Sequence, residues 1–188
     1  MLVHTERRIS LNMFVTGAAG ATLVASVAWG AVRPSSVAAS AAAAASRCQN
    51  IQLAVSPGQS NSGAGHVGIQ YRMRNISGRT CRLYGYPGAV LLDANFSTLP
   101  THLRRSVGYL GGSPRARLVV LSPGMSAYFF LEWVHFPSPG QTCPPARYLM
   151  ITPPNAFLPV VIWAARGGSI TLCGGDMVVS PVESTPVF

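Results

Sequence analysis

Arg72, Arg74, Arg79 and Arg82 fall within a stretch of eleven residues. Planar guanidinium forks at that density suit bidentate recognition of phosphate or carboxylate, so these four are the candidate anion-binding residues. Arg104, Arg105, Arg115 and Arg117 form a second cluster farther along. The plainer account of both clusters is a solvated face that keeps the chain soluble. All fourteen basic residues are arginine. The absence of lysine removes Schiff-base chemistry and a P-loop, both of which require its amine.

Other reactive side chains are sparse. A hydrolytic site would need His66, His102 or His135 beside a nucleophile and an orienting acid, and no G-x-S-x-G elbow is present. From Arg47 onward there are four acids, Asp93, Glu132, Asp176 and Glu183. That is a poor stock for the carboxylate pair of a glycosidase or for calcium. Cys48, Cys81, Cys143 and Cys173 contain no C-x-x-C and lack histidines at ligand spacing, so neither zinc nor a redox pair is expected. No catalytic, cofactor or metal-ligating residue is assigned, and the cysteines are read as disulfide partners. Four cysteines allow three pairings. The local one, Cys48 with Cys81 and Cys143 with Cys173, is favoured; each bridge closes a loop of about 30 residues and is worth roughly 3 to 4 kcal/mol on the chain-entropy model.

Disulfides need an oxidising compartment, and the N-terminus supplies a route to one. Arg7 and Arg8 precede an apolar run from Leu11 to Val32, followed by a small-residue tract that includes Ala41 to Ala45. Positive, apolar and small segments in that order describe a secretory signal. The alternative is an uncleaved anchor, since the apolar run approaches the length of a bilayer span. Arg7-Arg8-Ile9-Ser10-Leu11 partly resembles the twin-arginine export motif. Arg47 immediately before Cys48 does not suit a lipobox, which leaves Cys48 structural. Residues 1–47 are thus assigned to a signal or anchor plus linker, and 48–188 to one domain.

Eleven arginines stand against four acids from Arg47 onward, a surplus of seven positive charges. Such an excess raises nucleic acid as a partner. However, arginine bias together with alanine tracts reflects GC-rich coding, and export places the domain away from nucleic acid. Anionic envelope polymers, lipid headgroups or acidic proteins fit better, with membrane contact expected only through an uncleaved N-terminal segment.

Short apolar segments separated by Gly, Pro, Ser and Asn give an all-β pattern. Val67, Ile69, Tyr71 and Met73 alternate with Gly68, Gln70, Arg72 and Arg74, one face inward and one outward, before an Asn75-Ile76-Ser77-Gly78 turn. Further strands are expected over Thr80–Tyr84, Ala89–Leu92, Arg117–Leu121, Ala127–Phe136, Arg147–Thr152, Val160–Ala164 and Ile170–Val179. In Ala127–Phe136 both faces read as buried. Ser56–Gly65, Asn95–Pro114 and Pro137–Pro145 are expected to be loops. Pairing of the strands on either side of Asn75 would give Arg72, Arg74 and Arg82 a common outward face, with Tyr84 and Tyr86 nearby as stacking surfaces. The set suggests an immunoglobulin-like two-sheet sandwich, with a small barrel as the competing architecture. Asn75-Ile76-Ser77 and Asn95-Phe96-Ser97 match the glycosylation sequon but are read as turn residues.

Several fragments together resemble a family of small exported actinobacterial proteins known by a domain of unknown function, DUF4232. They are Cys48, Gly65-His66, Arg74-Asn75 and, most specifically, Thr80-Cys81-Arg82-Leu83-Tyr84-Gly85-Tyr86-Pro87-Gly88. Leu121-Ser122-Pro123-Gly124-Met125-Ser126-Ala127, Trp133, Cys143, Pro153-Pro154, Cys173 and Val179-Ser180-Pro181-Val182 follow. The resemblance implies an exported β-sandwich, tethered as a lipoprotein in some relatives, with no known activity and no catalytic residues to carry over. The expectation is an exported, non-enzymatic, envelope-associated binding module for anionic polymer, lipid or protein. The alternatives are a protein-interaction module using an apolar patch or sheet edge, and a hydrolase built on His66 or His102.

Overall fold

A computed structural model describes residues 45–188; the expected leader lies outside the described residues. Thirteen strands are formed here: β1 Ser46–Arg47, β2 Leu53–Gly63, β3 His66–Asn75, β4 Cys81–Tyr84, β5 Gly88–Leu92, β6 His102–Arg105 and β7 Leu118–Leu121, then β8 Ser126–Val134, β9 Pro145–Ala146, β10 Tyr148–Thr152, β11 Val160–Trp163, β12 Ile170–Thr171 and β13 Asp176–Val179. A five-stranded sheet runs β2-β3-β8-β13-β6, two three-stranded sheets run β1-β4-β7 and β11-β10-β5, and β9 pairs with β12. The domain is all-β, as its sequence pattern indicates, and β1 takes in two residues that composition assigns to the linker.

Alternation along the longest strands builds the core. In β3 and β8, Ile69 lies opposite Leu131, Tyr71 opposite Phe129 and Met73 opposite Ala127. All six are buried, and they share one apolar cluster with Leu83 of β4, Val119 and Leu121 of β7, Leu91 of β5, and Leu149 and Ile151 of β10. Each such side chain contributes about 1.5 to 3 kcal/mol relative to exposure. Tyr71 and Phe129 stack at 5.1 Å between ring centroids. The Tyr71 hydroxyl donates to the Ala164 carbonyl at 2.6 Å, which satisfies a phenol that burial holds far above its ordinary pKa.

The disulfides join Cys48 to Cys81 and Cys143 to Cys173, the favoured local pairing. The first ties the start of the domain to β4, beside a Cys48 N–H bond to the Arg82 carbonyl. The second ties the Pro137–Pro145 segment to the chain between β12 and β13. No cysteine is left free, which fits an oxidising, extracytoplasmic compartment.

Three local expectations are corrected. Ser56–Gly65 is not a loop, because β2 continues to Gly63 and pairs with β3 through a register shift between Pro57 and Ser60. β2 is an edge strand, and an edge bulge tolerates the missing Pro57 N–H. The hairpin is closed by Ala64 and Gly65, both at positive φ as a two-residue type I′ turn demands. Asn95–Pro114 contains β6, which pairs in parallel with β13. The single strand expected over Ile170–Val179 is two, broken at Gly174 and Gly175, whose φ values of 68° and 83° leave the strand region.

The outward face of β3 departs from expectation, whereas burial of Phe130 and Glu132 on the second face of β8 agrees with it. Gly68 and Gln70 are buried on β3 because the C-terminal tail crosses this face of the sheet. The Val187 N–H donates to Gln70 Oε1 at 2.6 Å, the Phe188 ring meets Phe130 edge-on at 5.2 Å, and Tyr128 and Glu183 exchange backbone hydrogen bonds.

Candidate functional site

The four arginines singled out by sequence do not share one pleated surface. β3 lies between β2 and β8, whereas β4 lies between β1 and β7, so the strands on either side of Asn75 belong to different sheets. Arg72 and Arg74 project from the outer face of the large sheet, Arg74 donating from Nε to the Gly124 carbonyl at 3.2 Å. Arg79 is exposed in the intervening turn, and Arg82 is half-buried on β4. The cause is Asn75. Its buried Nδ2 donates to the Arg79 and Leu121 carbonyls while Oδ1 accepts from the Ser77 N–H and hydroxyl. This Asx-type turn redirects the chain from one sheet to the other instead of folding it back as a hairpin. Tyr86 packs against the core and Tyr84 is exposed, so the two do not form a common stacking surface.

The larger electrostatic pattern is a separation of signs. Ten of the eleven arginines from Arg47 onward are exposed, and Arg82 is half-buried. Glu132 is buried, Glu183 and Asp93 are half-buried, and Asp176 alone among the four acids is exposed. Glu132 accepts from the backbone N–H groups of Tyr109 and Leu110 at 2.7 and 2.8 Å. Glu183 accepts from the Ser113 N–H, and one Asp93 oxygen accepts from the Asn95 and Ser97 N–H groups. The negative charge is largely used to hold loops. The positive charge faces solvent.

His66 lies at the head of a cleft of about 870 Å³ whose walls include Arg104, Arg105 and Tyr109. His66 Nδ1 is 2.7 Å from Glu132 Oε1, and its ring stacks on Tyr109 at 4.8 Å. A carboxylate that orients an imidazole is half of a hydrolytic constellation. Among the described residues no hydroxyl or thiol is hydrogen-bonded to either ring nitrogen. What the arrangement does directly is clamp the segment after β6 onto the large sheet. Gly108 serves the same clamp, because a Cβ there would overlap the Glu132 carboxylate. His102 lies 3.7 Å from Asp176 in an exposed pair on β6 and β13. Among the described residues no group of three or more His, Cys, Asp or Glu converges as a metal site.

Residues 48–183 match the family described as a domain of unknown function, DUF4232. The chain belongs to that family. Comparison with curated proteins and with solved structures finds no match. The DUF4232 residues quoted above therefore acquire meaning from this fold alone. Cys81 and Leu83 point into the core from β4, and Gly85, at a φ of 105°, ends that strand.

A second surface of the DUF4232 domain escaped the sequence reading. Phe96, Tyr148 and Trp163 form a row, with Phe96 and Tyr148 stacked at 4.4 Å and Tyr148 and Trp163 at 5.0 Å. The Arg147 guanidinium lies 5.1 Å from the Trp163 ring centroid. Alternation in β10 and β11 was a usable signal for Tyr148 and Trp163, which pair directly across the two strands. Phe96 sits in a turn, and no periodicity could place it.

Proposed function

We propose that this DUF4232 domain is an exported, non-enzymatic binding module that holds anionic components of the cell envelope by charge. The architecture is read as an immunoglobulin-like sandwich, with the five-stranded sheet facing the two smaller sheets across one core, and its site of action as secreted or envelope-associated. The observation that carries the reading is the separation of signs. Ten exposed arginines meet one exposed and two half-buried acids, so the surface potential is positive with little local cancellation. Arg72, Arg74, Arg79 and Arg82 contribute to that field from two sheets and the connecting turn. Their collective charge, not a shared fork, is what attracts.

The test is binding of the purified protein to envelope fragments and to polyglutamate across a salt series. Affinity is expected to fall at least about tenfold between roughly 50 mM and 1 M salt, as exposed charges are screened. Absence of binding, or binding indifferent to salt, overturns the proposal.

A second reading, protein docking through an apolar patch, draws on Phe157 and Leu158. They are 88% and 63% exposed in the connection from β10 to β11. Capture of one defined protein that persists in high salt and is lost in Phe157→Ser would favour it.

A further inference from the structure

The aromatic row ends in a groove suited to a ligand narrower than "anionic polymer". Trp163 is 48% exposed and shares the wall of a cleft of about 530 Å³ with Arg147, Arg166 and Ser169. A neighbouring cleft of about 650 Å³ shares Arg166 and Ser169 with it and continues past Gln59, Ser60 and Thr171. The shared residues make the two clefts adjacent, with room for more than one sugar unit. Neither wall contains an acid; the ionisable side chains are the Arg147 and Arg166 guanidinium groups and the His135 imidazole. Arg166 is fixed by donation from Nε to the Pro57 carbonyl at 3.3 Å, at the bulge where β2 shifts register. The bulge that corrects the sequence reading thus positions a cation.

The row itself is held at a cost. Phe96 has a φ of 63°, unfavourable for a bulky side chain, in a turn gripped by the Asp93 carboxylate. The residue is 58% exposed, so core burial does not explain the conformation. The conformation instead seats the ring on Tyr148 and extends the row that ends at Trp163.

We propose that this groove binds an anionic saccharide chain, with a sugar ring against the Trp163 indole and its carboxylate or phosphate at Arg147 and Arg166. The aliphatic C–H face of a pyranose fits an indole, the guanidinium groups fit the anion, and the hydroxyls and amide of Ser60, Ser169, Thr171 and Gln59 fit sugar hydroxyls. An acidic peptide would share only the charge. The inference rests on the anion-binding reading above and gives it a ligand class and a location.

Titration calorimetry of the purified protein would use a galacturonic acid hexamer as the carboxylate probe, phosphomannan as the phosphate probe, and dextran and polyglutamate as controls. One or both anionic saccharides are expected to bind at least about tenfold more tightly than either control. Trp163→Ala and Arg166→Ala should each weaken that binding about tenfold, Trp163→Phe should restore most of it, and Arg72→Ala with Arg74→Ala, which lower the general field without touching the groove, should cost clearly less than either. Arg147→Ala, at an exposed position, provides the same reading if Trp163→Ala does not fold. If anionic saccharides bind but ignore Trp163, Arg147 and Arg166, the groove is wrong while the anion-binding reading stands. If polyglutamate binds as well as the saccharides, the ligand class is wrong. If no anion binds, both proposals fall.

Discussion

The ring of Phe130 lies across the bare Cα of Gly68, where any side chain on Gly68 would occupy the position of the ring. The two residues sit on neighbouring strands, offset along the face that alternation in β3 assigns to solvent. The tail residue Phe188 covers Phe130 from another side. Gly68→Ala must therefore displace the ring and loosen the tail. The expected loss is about 1 to 3 kcal/mol in urea unfolding, as for overpacking of a core, and Gly68→Ala combined with Phe130→Leu should recover part of it. A loss below about 0.5 kcal/mol would mean that the tail is not seated on this face.

Glu132 presents a similar case in polar form. Its two oxygens accept from Tyr109 N–H, Leu110 N–H and His66, so Glu132→Gln turns an acceptor into a donor against groups that also donate. The expected cost is about 1 to 3 kcal/mol. Limited proteolysis should show faster cleavage within 106–113 in the variant. Unchanged stability together with unchanged cleavage would remove the clamp role.

How far the sequence was legible follows from which forces are local. Alternation in Val67–Met73 and Ala127–Trp133 identified the core because period-two burial is written into each strand. The disulfide pairing followed from loop length. The break between β3 and β4 did not, since Asn75-Ile76-Ser77-Gly78 has the composition of a hairpin turn and the bonds that send the chain elsewhere include long-range ones, from Asn75 Nδ2 to the Leu121 carbonyl 46 residues away and from the Ile76 N–H to the Gln52 carbonyl. The burial of Gln70 depends on the tail, and the Phe96 stack depends on β10. These are long-range contacts, and no window of sequence contains both partners.

The two bridges close loops of similar length, 33 and 30 residues apart in sequence. On the chain-entropy model Cys48→Ser with Cys81→Ser and Cys143→Ser with Cys173→Ser should each lose roughly 3 to 4 kcal/mol and differ by less than about 1 kcal/mol. Denaturant unfolding of the two double variants measures this. A much larger loss for the Cys48–Cys81 pair would show that core packing outweighs loop closure, because both of its sulfurs are fully buried.

Tyr71 gives stability a dependence on alkaline pH. Its hydroxyl is buried without a cation and donates to Ala164, so the folded state keeps the proton. The unfolded chain releases it near pH 10, the ordinary phenol value. A raised folded pKa means that the unfolded state binds fewer protons above that point. The stabilisation is therefore complete below about pH 10 and declines as pH rises further. Tyr71→Phe should lose about 0.5 to 1.5 kcal/mol at neutral pH, from the missing hydrogen bond, and should then fall less steeply than the wild type above pH 10. Parallel alkaline slopes for the two proteins in urea unfolding would show that Tyr71 ionises as readily in the fold as outside it.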